Sequence, residues 1–267
     1  MQNKQVIFDY STVTETPDTR ASQEQITRLY TRYRFASEFC DNKDVLEVAC
    51  GSGIGLGYLA KVAKWVVGGD IDENNLKLAL EHYNGHNNIE IKLLDAHNLS
   101  FKDKSFDVVI LYEAIYYLHE PEKFVAEARR VLRDNGVLII CTVNKDWAGF
   151  NPSPYSHKYF STLELYEILN ENGFINIEMY GDCPVKTNSI KDKSILAIKK
   201  TAVTLHLIPQ TMKGKELLKR IFFGKLIPLP SEIEDGVAEY IPPVRISHNF
   251  PVNDFKVLYA LAFKGKR

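Results

Sequence analysis

From residue 44 onward, short apolar runs alternate with amphipathic stretches, and that alternation admits few folds. Near-continuous apolar runs read as strands buried on both faces, and the stretches between them as crossover helices. The pattern therefore implies an α/β fold with a doubly wound, mostly parallel sheet. Seven strands are expected, at 44–49, 65–70, 89–94, 106–112, 137–143, 174–180 and 255–263. Helices are expected at 55–63, at 73–83, at 122–132 behind Pro121, and at 162–171. The last is opened by Ser161 with Glu164 three residues on and closed before Gly173.

Ahead of the sheet, Ser22 and Gln25 have capping-box spacing and open a helix whose Ile26, Leu29, Tyr30, Tyr33 and Ala36 share one face. Between the last two strands lie residues 181–254, too many for a bare loop in a compact domain. A helical insertion is expected there, with helices near 190–207 and 212–224, and then an extended path imposed by prolines 228, 230, 242, 243 and 251. The chain thus divides into a helical segment (1–43), an α/β core (44–180), the insertion (181–254) and a last core strand (255–267).

Composition narrows the function. Hydrophobic residues at 45% and charged residues at 25% exclude the low-hydrophobicity class that stays disordered. The opening MQNKQVIFDY has no apolar targeting core, and no run approaches the ~20 apolar residues that span a bilayer, so a cytoplasmic protein is expected. Cys40, Cys50, Cys141 and Cys183 form no C-x-x-C pair and have no histidine at zinc spacing, so free thiols and no metal are expected. A net charge of −1 speaks against a nucleic-acid partner. Residues 186–225 are nonetheless basic, with ten Lys/Arg against Asp192 and Glu216. There Lys213, Lys215, Lys219 and Arg220 stand among Leu217, Leu218, Ile221, Phe222 and Phe223. That arrangement reads either as a patch for an anionic acceptor or membrane surface, or as a solvated face of a packed helix.

The sharpest local signal runs from Val45 to Gly55, VLEVACGSGIG: a buried strand entering a glycine-rich turn and then a helix. Glycines there let backbone approach a ligand closely. A dinucleotide turn would carry G-x-G-x-x-G, and here the third position falls on Leu56 counting from Gly51, or on Tyr58 counting from Gly53. A nicotinamide-dependent oxidoreductase is disfavoured accordingly.

The E-x-x-C-G-x-G-x-G pattern resembles motif I of class I S-adenosylmethionine-dependent methyltransferases, and the resemblance covers roughly residues 40–180. It implies a Rossmann-like fold that binds S-adenosylmethionine and releases S-adenosylhomocysteine. By this resemblance Glu47 orients the methionine amino group, and Ala49, Gly51, Ser52 and Gly53 form the turn against the cofactor. Asp70 takes the ribose hydroxyls, Ile71 covers the adenine, and Asp95 with the Ala96 N–H reads the purine edge. Tyr112 and Glu113 end the fourth strand, at the carboxyl edge where ligands of open α/β sheets collect. One departure is Ala49, where the family usually has glycine. The glycines also have a plain role as turn residues, and Asp70 and Asp95 as caps.

Methyl transfer is an in-line displacement, so the cofactor supplies reactivity and the protein supplies alignment. An unactivated hydroxyl acceptor also needs a base, and the candidates are Glu113, His119 and His157. His157 is preferred by position, since it lies in NPSPYSHKYF after the fifth strand, where related enzymes cover their substrate. Tyr112, Tyr116 and Tyr117 could line an acceptor pocket or simply pack. The reading LYEAIYYL after strand four lacks the N/D-P-P-Y/F of amino-type nucleic-acid methyltransferases, which leaves a small-molecule or glycan acceptor, with an anionic one suggested by the basic segment. A noncatalytic S-adenosylmethionine-binding module is the alternative from another class.

Overall fold

The structure, a computed structural model, describes residues 14–17, 19–153, 155–185 and 226–266. Four parallel crossovers build one side of its main sheet. Strand β2 (Asp44–Val48) leads through the short helix α2 (Leu56–Ala60) to β3 (Trp65–Asp70), and α3 (Glu73–His82) leads on to β4 (Ile89–Leu93). The chain then returns past β2 to β5 (Phe106–Tyr112), and α4 (Pro121–Val131) carries it to β6 (Leu132–Val143). Helix α5 (Thr162–Glu171) precedes β7 (Phe174–Pro184), and β9 (Val244–Ile246) and β10 (Phe255–Lys264) complete the sheet. Its order is β4-β3-β2-β5-β6-β10-β7-β9. The pairs from β4 to β6 are parallel, and β10 enters antiparallel between β6 and β7.

Order reverses between β2 and β5, which are neighbours although β3 and β4 lie between them in sequence. At such a reversal the two flanking connections leave to opposite sides, and a crevice opens beyond the strand ends. Side-chain alternation explains the layers. Val45, Val66, Val108, Ile110 and Ile139 face one core with α1 (Gln23–Ser37), α2 and Leu76 of α3, whereas Leu46, Val67, Val109, Leu111 and Ile140 face a second core with α4 and α5. Each such side chain stabilises the fold by about 1.5–3 kcal/mol, which fixes the register strongly.

Helix α1 begins as its sequence requires: Ser22 caps it, with the Gln25 N–H donating to the Ser22 hydroxyl and the Ser22 N–H to the Gln25 side chain. Ser161 and Glu164 repeat the device at α5.

Two expectations need correction. Among the described residues the sheet has eight strands, because the three-residue β9 adds antiparallel to the outer edge of β7; it follows Pro242 and Pro243 and has no apolar run to announce it. The region 181–254 is not wholly an insertion, since residues 181–184 continue β7. The helices expected at 190–207 and 212–224, with the basic patch of Lys213, Lys215, Lys219 and Arg220, lie outside the described residues. Residues 226–254 contain no helix and run through turns and short extended pieces, holding β9 and the short β8 (Ile227–Pro228), which pairs with β1 (Arg20–Ala21). Among the described residues no helix is long and apolar enough to cross a membrane.

Candidate functional site

After β2 the backbone turns through three left-handed residues, Ala49 (φ 56°), Gly51 (φ 58°) and Gly53 (φ 77°). A Cβ on Gly51 would press on the Thr14 methyl at 2.8 Å, so this position is both conformationally and sterically reserved for glycine. Asp70, at the end of β3, fastens the turn: one carboxylate oxygen accepts the Gly51 N–H at 2.8 Å and the other the Asp72 N–H at 2.9 Å. Tyr83 braces it from behind, donating to the Gly53 carbonyl at 2.7 Å and accepting the Gly57 N–H at 3.1 Å.

In front of the turn, over the carboxyl ends of the strands, lies a cavity of about 900 Å³. Glu47, Ala49, Gly51, Asp70, Ile71, Asp95, Ala96, Tyr112, Glu113 and His119 all stand on its wall. Three sequence candidates do not. Ser52 turns its hydroxyl to the Glu15 carbonyl at 3.0 Å, and Gly53 faces Tyr83 and Ala79. His157 is drawn behind the wall because its N–H donates to the Tyr116 carbonyl at 2.7 Å, which lays its ring against that of His119 with centroids 3.7 Å apart.

Glu47 is 2% exposed. The Tyr33 hydroxyl donates to its Oε1 at 2.8 Å, while Oε2 has no partner among the described residues. Burial pushes the carboxyl up to about 7, with the Tyr33 hydrogen bond and the Arg32 charge opposing. Glu113 sits at φ 50°, a strained position for a residue with a side chain. Its two oxygens are taken by Arg28 Nη2 and the Tyr116 hydroxyl, each at 3.0 Å. Asp70 also lies above the usual carboxylate range because of burial, though backbone N–H groups of Asp72, Gly51 and Ile71 work against the shift. Asp95 is more open, and accepts the His97 N–H at 2.8 Å.

Helix α1 supplies a wall that sequence reasoning missed. Gln25, Arg28, Arg32 and Tyr33 all line the cavity. Arg32 is 5% exposed, pairs with Glu15 at 2.6 Å, and leaves Nε without a partner. The signal was present: Gln25, Arg28 and Arg32 are three and four residues apart and so share a helical stripe. The apolar face drew attention instead. The Asn75 Oδ1 is a third buried wall atom without a partner. Leaving such atoms unpaired costs about 1–3 kcal/mol each, so a wall that carries several is shaped for a polar ligand.

Comparison with known proteins points to methyltransferases. Residues 46–140 match the family model described as a methyltransferase domain. Over that stretch the chain is similar to a methyltransferase domain. A relative in Mycobacterium tuberculosis, named as a "Probable S-adenosylmethionine-dependent methyltransferase", is 31% identical over 155 residues, 56% of this chain and 55% of its own. The chain thus spans about half the length of the curated relatives it matches. Among solved structures, a SAM-dependent methyltransferase of Thermotoga maritima superposes with a TM-score of 0.57 at 17% identity, over 90% of this chain and 92% of that one. Phosphoethanolamine N-methyltransferase 2 of Haemonchus contortus, solved with S-adenosyl-L-methionine, superposes with a TM-score of 0.53 at 18% identity, over 94% of this chain and 54% of that one. At these identities the structural likeness concerns the fold.

The relative in Mycobacterium tuberculosis is named for S-adenosylmethionine, and the cavity wall here has the chemistry to receive such a molecule. Glu47 Oε2 is a buried acceptor for an ammonium group, Arg32 Nε a buried donor for a carboxylate, and the Gly51 turn leaves room for close approach. The Asp70 carboxylate has about four lone-pair sites, more than its backbone N–H donors use, so it can still accept from a ligand hydroxyl.

Proposed function

We propose that this chain transfers the methyl group of S-adenosylmethionine to an oxygen or nitrogen of a small-molecule or sugar acceptor. The reading rests chiefly on the unpartnered, buried carboxylate oxygen of Glu47 on the wall of a cavity at the sheet's order reversal. In it Glu47 holds the ammonium of the amino-acid end and Asp70 the ribose hydroxyls. Asp95 and the Ala96 N–H read the adenine edge, and Ile71 covers its face. When bound, the cofactor supplies an electrophilic methyl on a sulfonium.

The chain's own residues align and desolvate. The cavity continues past Glu113 to Tyr116, Tyr117, Leu118 and His119, which forms the acceptor end. Glu113 is a poor base, since a guanidinium and a phenol already hold its two oxygens; it fixes this wall. His119, on the wall with the His157 ring behind it, takes the acceptor's proton as the bond to carbon forms.

The test is transfer of labelled methyl from S-adenosylmethionine to a panel of hydroxyl- and amino-bearing small molecules and sugars. Label on an acceptor supports the reading; cofactor binding with no transfer to any acceptor supports a noncatalytic binding module instead. With an acceptor in hand, His119→Ala is expected to slow turnover about 100-fold or more while leaving S-adenosylhomocysteine affinity unchanged. Unchanged turnover would remove His119 from the mechanism.

A further inference from the structure

We infer that Tyr33 is a positioning residue of the methyltransferase site: its ring occupies the space that Gly55 leaves open, and its hydroxyl sets the orientation and charge of Glu47. A Cβ on Gly55 would fall inside the Tyr33 ring. Gly55 sits at φ −111°, ψ −6°, outside the left-handed region and open to alanine, so what this position requires is space more than conformational freedom. The third glycine of the turn therefore serves helix α1.

The Tyr33 ring is 4% exposed and edge-on to Tyr112, with centroids 5.5 Å apart. Ring packing thus aims a hydroxyl that is, among the described residues, the sole donor to this carboxylate. Every element around Glu47 contributes a charged or titratable group. Tyr33 and Arg32 come from α1, Cys40 from the turn after it, and Cys50 from the glycine turn. Asp70 comes from β3, Tyr83 from the end of α3 and Tyr112 from β5. Arg32 is the only cation among them, and it is engaged by Glu15. Removing the phenol hydroxyl would therefore leave the carboxylate without any hydrogen bond, and it would ionise at higher pH.

This inference rests on the reading that ionised Glu47 meets the cofactor's ammonium. The experiment is calorimetric titration of S-adenosylhomocysteine into the full chain between pH 5.5 and 8.5. In the native chain, affinity should rise with pH toward a plateau, and Glu47→Gln should flatten that rise. In Tyr33→Phe, which keeps the ring, the midpoint of the rise should move up by about one pH unit, a tenfold loss near the midpoint. A loss equal at all pH values, or no loss, would overturn the positioning role. A native profile that Glu47→Gln does not change would overturn the reading beneath it.

The packing half is tested without ligand. Gly55→Ala should lower the Tm by several degrees in the native background and by little in a Tyr33→Ala background. Equal losses in both would show that Gly55 is not reserved for Tyr33.

Discussion

At the residue scale, Ala49 and Glu113 carry conformational penalties and Glu47 an electrostatic one, all on the cavity wall. Ala49 holds a left-handed backbone at φ 56° with a side chain attached. Ala49→Gly should relieve that strain and raise stability by about 0.5–1 kcal/mol, seen as a rise of roughly 1–4 °C in Tm. A fall in Tm would mean that the methyl packs usefully against its surroundings. Gly51→Ala acts in the opposite direction, placing a Cβ in left-handed backbone against the Thr14 methyl. A tenfold or larger loss of S-adenosylhomocysteine affinity is expected by calorimetry.

Glu47 carries a pH signature. Its carboxyl is raised to about 7, against roughly 4.3 in an unfolded chain. Between those values the folded state binds the extra proton, so this group's contribution to stability falls as pH rises from about 4.3 to about 7 and is level beyond. Glu47→Gln removes that slope. Relative to the native chain it should therefore be more stable at pH 8 than at pH 5, by up to about 3 kcal/mol in denaturant unfolding. Curves that stay parallel across that range would mean the carboxyl is not raised.

At the scale of elements, helix α1 joins more of the molecule than its place ahead of the sheet suggests. Its Arg28 holds Glu113, its Tyr33 holds Glu47, and its Arg32 carbonyl accepts the Tyr112 hydroxyl at 2.8 Å. It also receives the chain after β8, where Asp235 accepts the hydroxyls of Tyr30 at 2.9 Å and Tyr58 at 2.7 Å. The Tyr58 and Tyr30 hydroxyls hold the Asp235 carboxyl below its ordinary range. Because that carboxylate is exposed, Asp235→Ala should cost under about 1 kcal/mol, with the loss shrinking as pH falls through its pKa.

The elements were largely legible because burial on both faces leaves an unbroken apolar run, as in VVILY of β5 or LIICTV of β6. Strand β9 was not, since a three-residue edge strand buries too little to mark its sequence. The α1 wall escaped for a related reason: periodicity finds the stripe that packs, and the cavity uses the polar stripe beside it. Glu47, Asp70 and Glu113 could be placed near one another because strand ends in a parallel sheet gather at one edge. The position of His157 could not, because it depends on a single main-chain hydrogen bond to Tyr116.

For the whole molecule, the decisive feature is one change of direction. Because β5 returns to the far side of β2, the glycine turn, the end of β3 and the end of β5 surround a single crevice, and α1 closes its outer side. The same doubly wound plan can hold a dinucleotide, so the fold alone does not choose the ligand. The proposal of S-adenosylmethionine therefore rests on the short spacing of the glycine turn, the match of residues 46–140 to a methyltransferase domain, and the acids Glu47 and Asp70 on the cavity wall.

Calorimetric titration of the full chain at pH 8 with S-adenosylhomocysteine, NAD and NADP, repeated on Asp70→Ala, tests that choice most directly. Saturable binding of S-adenosylhomocysteine alone is expected, weakened at least tenfold in Asp70→Ala. Binding of either dinucleotide in preference, or an affinity for S-adenosylhomocysteine that Asp70→Ala leaves untouched, would contradict it.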